Sequence, residues 1–178
     1  MAEEGEGGDQ LATMTVHEET ELRRVYDLLC NFAITKPLKA DIALREDALS
    51  KLDPKKHEDA RPIETISKQI EELQSQLKSL QDDPDRKVRE EDVMEALGFL
   101  GKKKTQPQEV KDMIWEVDEN LDGCVDWKEF QLMFLRNISD TTGLEPSKFY
   151  NLVQFMIYDK DSRAMVSVDN TMKMLYER

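Results

Sequence analysis

The chain has 178 residues and a mass of 20.7 kDa, room for one domain or two small lobes. Its 38 Asp and Glu against 25 Lys and Arg give a net charge of −13 and a pI of about 4.7, which argues against nucleic acid and against plain adhesion to anionic membrane. An acidic excess suits cation binding, basic partners or simple solubility.

Residues 1–16 are dominated by Gly and Glu and read as a disordered acidic tail. They carry no basic segment followed by an apolar one, so no signal peptide is expected, and Ala2 excludes N-myristoylation. No apolar stretch approaches the roughly 18 residues of a membrane span. Cys30 and Cys124 lie far apart and form no CxxC, so a reducing, cytoplasmic setting without disulfides is expected. His17 and His57 have no Cys or His neighbour at zinc spacing and read as surface residues.

The first lobe is expected over 17–100. Leu22, Val25, Leu28, Leu29 and Phe32 recur at helical spacing, and Pro37 is expected to end that helix. A second helix is expected over about 42–52, then a charged, proline-bearing linker over 53–62. Ile63, Ile66, Ile70, Leu73, Leu77 and Leu80 then form the cleanest apolar stripe in the chain. Spaced alternately by three and four, it predicts one long amphipathic helix, packed internally or offered to a partner as a coiled-coil seam. Further helices are expected near 90–100, 107–118, 127–136, 146–158 and 168–177. Thr105 and Gln108 around Pro107 suggest a capping box for the helix from 107. No convincing strand is present, so the chain is all-α by pattern.

Residues 118–129 carry the chemistry. Asp118, Asn120, Asp122, Gly123 and Glu129 satisfy D-x-[DN]-x-[DN]-G-x5-E at every position. Calcium is a hard ion that takes six to eight oxygens. Asp118, Asn120 and Asp122 offer side-chain oxygens from alternate positions. Gly123 permits the bend, and Cys124 offers its backbone carbonyl. Asp126 reaches the ion directly or through water, and Glu129 closes the shell with both oxygens. Val110, Ile114 and Val117 before the loop, and Phe130, Met133 and Phe134 after it, sit at helical spacing.

With Leu100-Gly101 and Glu109–Asp118, these residues resemble the EF-hand superfamily in its calmodulin, troponin C and centrin style. The resemblance covers about 63–178 and is strongest over 92–135. It implies paired helix-loop-helix lobes, with Val125 making a short strand contact to a neighbouring loop. The window 81–92 reads as a degenerate hand, with Val88 at the strand position. Gln81, Pro84, Arg86 and Asp92 replace the expected residues, so it is expected to fold without metal. The window 159–170 keeps Asp159 and Asp161 but has Arg163, Ala164 and Asn170 where a ligand, the bend glycine and the closing acid belong. Residues 33–46 read as a vestigial fourth loop. Hands 17–52 and 65–100 are expected to pair, and 107–136 with 145–178, the second lobe being 101–178.

The expected cofactor is one Ca²⁺, with Mg²⁺ a candidate at rest. No catalytic constellation is visible, so the chain reads as non-enzymatic. Two readings stand. One is a regulatory or light-chain-like subunit that clamps an amphipathic or coiled-coil helix of a larger protein assembly, cytoskeletal or axonemal by analogy. The other is a free calcium sensor that binds targets only when loaded. Neither involves nucleic acid or membrane.

Overall fold

The computed structural model describes residues 13–57, 59–102, 104–161 and 163–165. It contains seven helices and no strand among those residues. They are α1 (Val16–Leu29), α2 (Phe32–Ser50), α3 (Ala60–Gln81), α4 (Glu90–Phe99), α5 (Pro107–Trp115), α6 (Trp127–Ser139) and α7 (Lys148–Tyr158). None is long and apolar enough to cross a membrane.

Helix α1 starts on a capping box. The Thr15 hydroxyl accepts from Glu18 N at 3.2 Å, and Glu18 Oε2 accepts from Thr15 N at 2.9 Å. The acidic tail lies almost wholly outside the described residues. Leu22, Val25, Tyr26 and Leu29 form the inner face of α1 and are all nearly inaccessible. The helix stops at Cys30, and Asn31 turns the chain in the left-handed region at φ 58°. Asn tolerates that conformation better than most residues because its short amide bonds locally.

From Phe32 to Ala60 the structure corrects the sequence expectation in three places. Pro37 does not end a helix; it lies in the second turn of α2. There its missing N–H leaves only the Ala33 carbonyl without a donor, and burial of Phe32, Thr35 and Ile42 outweighs that loss. Residues 33–46 are therefore helical, and no vestigial loop exists there. The 42–52 helix is the second half of α2. The link to α3 is a turn in which Asp53 Oδ1 accepts from Lys55 N and Asp59 Oδ2 from Asp53 N, both at 3.0 Å.

Helices α2 and α3 pack on each other as an antiparallel hairpin. The long stripe of α3 is real, but Ile70 alone of its members is fully buried; Ile63, Ile66, Leu73, Leu77 and Leu80 are half-buried. The main core is elsewhere. One cluster joins Leu22, Val25 and Leu29 of α1, Val93 and Leu97 of α4, Val110 and Ile114 of α5, Phe130 and Phe134 of α6, and Phe149 and Val153 of α7. It runs across position 100, the expected lobe boundary.

The pairing of loops also differs from expectation. Val88 and Val125 form an antiparallel bridge, with Val88 N donating to Val125 O at 2.9 Å and Val125 N to Val88 O at 2.8 Å. The loop at 81–92 thus pairs with the loop at 118–129, not with 33–46. The capping box expected at Thr105 is absent too: its hydroxyl donates to Lys102 O at 3.0 Å, and Gln106 is the residue before Pro107 at the first helical position. The helix expected over 168–177 lies outside the described residues.

The buried positions expose a register. Leu22, Val25, Tyr26, Leu29 and Cys30 match Val110, Met113, Ile114, Val117 and Asp118 one for one, each 88 residues apart. Val88, Asp92, Val93, Ala96 and Leu97 match Val125, Glu129, Phe130, Met133 and Phe134, each 37 apart. Subtracting 37 from 88 leaves 51 extra residues in the first copy, the span of the α2–α3 hairpin and its turn. The hand that ends in α4, expected over 65–100 with α3 as its incoming helix, is therefore entered by α1, and it is the first hand of the chain. The packing agrees: α1 lies on α6 as α5 lies on α4. The first hand is split, with a helical hairpin carried inside its loop.

Candidate metal centre

Helix α5 delivers Val117 into the core, and Asp118 opens the loop that turns back onto α6. The turn needs two residues in the left-handed region, Leu121 at φ 59° and Gly123 at φ 80°. No atom lies near the place of a Cβ on Gly123, so backbone conformation and not crowding makes glycine the fitting residue there. Asp118 Oδ1 accepts from Asp122 N at 3.1 Å and its Oδ2 from Gly123 N at 2.7 Å. Asn120 Oδ1 accepts from Asp122 N at 3.0 Å, and Asp122 Oδ1 from Cys124 N at 3.0 Å. At the far end Asp126 caps α6: its Oδ1 takes Glu129 N, and Glu129 Oε2 takes Asp126 N, both at 2.9 Å. Glu129 Oε1 reaches across the loop to Glu119 N at 3.1 Å and Asn120 N at 3.2 Å.

All six sequence-derived candidates thus lie on one loop. Asp118 and Glu129 are buried, at 6% exposure each, with only backbone amides as hydrogen-bond partners. Two carboxylates buried without a paired cation are costly, so the donor chemistry fits a cation of the hard-oxygen kind. The side chains are turned onto the loop's own amides. Among the described residues no three His, Cys, Asp or Glu side chains converge as a metal-holding group. Rotation of Glu129 and Asp118 off these amides is what the loop would need to close on an ion.

The split hand repeats this arrangement without the ligands. Asp92, the counterpart of Glu129, is buried, and it accepts from Arg89 N at 3.1 Å and from Ala33 N at 3.0 Å, across the inserted hairpin. Burial pushes the Asp92 carboxyl above its ordinary range, against the pull of those amides. Cys30 stands where Asp118 does, and Arg86 where Gly123 does. The Arg86 guanidinium bonds the Gln81 carbonyl at the end of α3 and the Asp27 carboxylate on α1, and Tyr26 Oη donates to Arg86 O at 2.8 Å. A fixed cation so ties the base of the hairpin to α1.

In the last hand Asp159 Oδ1 accepts from Arg163 N at 3.0 Å and its Oδ2 from Ala164 N at 2.8 Å, the same pattern as Asp118. Ala164 takes the bend at φ 57°. The rest of that loop, including Asn170, lies outside the described residues.

Sequence reasoning missed two functional neighbours. One is α1, whose Tyr26 ring meets Trp127 at 5.3 Å and Phe130 at 5.2 Å, with the Arg23 guanidinium 4.7 Å over Trp127. The repeated spacing of 22, 25, 26 and 29 against 110, 113, 114 and 117 carried the signal. The other is Lys87, whose ammonium pairs with Asp122 Oδ2. That contact holds the Asp122 carboxyl below its usual range and the Lys87 ammonium above its own. Only the loop pairing reveals it.

The two cysteines differ. Cys30 is 3% exposed, and burial pushes its thiol up to about 12. Cys124 is partly exposed, with its thiol also raised, mainly by burial. At pH 8 alkylation is expected to label Cys124 at least about a hundred-fold faster than Cys30, read by mass spectrometry of the native chain. Equal rates would contradict the burial of α1.

The fold and loop together define a paired helix-loop-helix protein. A family model described as an EF-hand domain pair matches residues 84–137, so that segment of the chain is similar to an EF-hand pair, a module that binds calcium. The match begins inside the first loop and leaves out α3. No curated protein matches the sequence.

Proposed function

We propose that the protein is a calcium-binding regulatory or light-chain-like subunit, with one Ca²⁺ site in loop 118–129. Asp118, Asn120, Asp122, the Cys124 carbonyl, Asp126 and Glu129 hold the ion, and Mg²⁺ is the competitor at rest. The subunit clamps a helix of a larger assembly, for which a cytoskeletal or ciliary setting is the family analogy.

One observation carries the preference for a constitutive subunit over a free sensor: the apolar face of the hand pair is already covered. Helix α7 lays Phe149, Leu152, Val153, Met156 and Ile157 against α1, α5 and α6, all five buried. A free sensor hides its groove until calcium opens it. Here a helix of the same chain fills that place. The partner helix then lies along the α2–α3 hairpin, where the stripe of α3 is covered on one side only.

The test is emission of anilinonaphthalene sulfonate with the full chain, in calcium and in chelator. Emission is expected to be the same in both. A large rise in calcium means that α7 leaves the groove and supports the free sensor instead.

A further inference from the structure

We propose that Lys87 is a resident cation of the calcium loop: its ammonium holds Asp122, and an incoming ion competes with it for that carboxylate. The inference rests on the calcium reading of loop 118–129.

Lys87 belongs to the split hand, yet it serves the intact one. Its neighbour Val88 is fixed opposite Val125 by two backbone hydrogen bonds of 2.9 and 2.8 Å. That register sets the Lys87 side chain over the loop, where its ammonium pairs with Asp122 Oδ2. Asp126 and Cys124 lie within its electrostatic reach as well. The other oxygen of Asp122 is taken by Cys124 N at 3.0 Å. An ion that takes Oδ2 must share that oxygen with the ammonium and bear its positive charge at close range, which favours release of the ammonium.

The other loop carboxylates have no such partner. Asp118 and Glu129 face backbone amides, and Asp126 caps α6. Lys87 is thus the one side-chain cation in an ion pair with a candidate carboxylate ligand among the described residues. The Lys87 side chain is about one-third exposed and its stem is flexible, so the ammonium can swing into water. An exposed pair of this kind adds little to folding. Its larger effect is on the ion: a positive charge beside the site opposes a second one, and removing it strengthens binding.

The variants are Lys87→Gln, which removes the charge and leaves both backbone bonds of Val88, and Lys87→Arg, which keeps the charge. Calcium is titrated into each full chain at fixed ionic strength and followed by calorimetry. Lys87→Gln is expected to bind about five-fold more tightly than the native chain, with Lys87→Arg close to native. A second readout needs no affinity: acetylation of the Lys87 amine by an N-hydroxysuccinimide ester, mapped by mass spectrometry. It is expected to be faster in calcium than in chelator. Equal affinity for the native and Gln chains, or acetylation indifferent to calcium in a chain that binds it, overturns the role of Lys87 alone. No heat from either chain overturns the calcium reading and this inference together.

Discussion

Replacing Glu129 by Gln is expected to lower calcium affinity about a hundred-fold and to flatten the Trp127 emission response at micromolar calcium. Glu129 is the last residue of the loop. It now bridges Glu119 N and Asn120 N with one oxygen and Asp126 N with the other. To close on an ion it gives up some of these amides for two metal–oxygen bonds. Gln retains one carbonyl oxygen and loses the charge, so it keeps an acceptor for the amides but not a bidentate ligand. The metal-free fold is therefore expected to survive the change, with a melting temperature at or above native, because a buried charge has been removed. Trp127 is the reporter of choice. It starts α6, two residues before Glu129, and its ring lies against Tyr26, Phe130 and the Arg23 guanidinium. Trp115 is largely exposed and is expected to respond weakly. An unchanged titration in Glu129→Gln would remove loop 118–129 as the site.

How much of this was legible in the sequence depends on how local the physics is. The loop 118–129 was readable residue by residue, because its donors, its bend and its cap all lie within twelve positions and form one another's hydrogen bonds. Val88 and Val125 were both placed at strand positions from their own loops, but which loop pairs with which is a tertiary fact. The stripe of Ile63 to Leu80 is the strongest periodic signal, and it draws the incoming helix of the hand expected over 65–100 onto α3. Periodicity reports that a helix has an apolar face, not what covers it. The α3 stripe faces one helix and stays half-buried; the shorter, less regular face of α1 enters the core. Pro37 misled for a related reason. A proline's local cost is small early in a helix and is outweighed when that helix buries Phe32 and Ile42. Lys87 was invisible because its partner lies 35 residues away on another loop.

The split hand makes a sharper demand on the same chain. If α1 is the incoming helix, Leu29→Ala is expected to cost about 3 kcal/mol in urea unfolding, while Leu77→Ala on α3 costs less than about 1 kcal/mol. Leu29 is fully buried and stands in the register of Val117, next to the loops that bridge at Val88 and Val125. Its truncation opens a cavity in the cluster shared by α1, α4, α5, α6 and α7, which close packing leaves little freedom to refill. Leu77 is half-buried between two helices with solvent on its other side, so truncation removes some contact area but leaves no enclosed void. Were α3 the incoming helix instead, Leu77 would stand in the register of Ile114, and the two costs would be alike. Calcium separates the cases a second time. A cavity at Leu29 loosens the support beneath the bridge, so Leu29→Ala is expected to weaken calcium binding as well as folding. Leu77→Ala acts within the inserted hairpin and is expected to leave the titration as it was. Comparable losses of stability in the two variants, or a calcium defect in Leu77→Ala alone, would return the first hand to α3 and make the hairpin part of the calcium module instead of an arm carried on it.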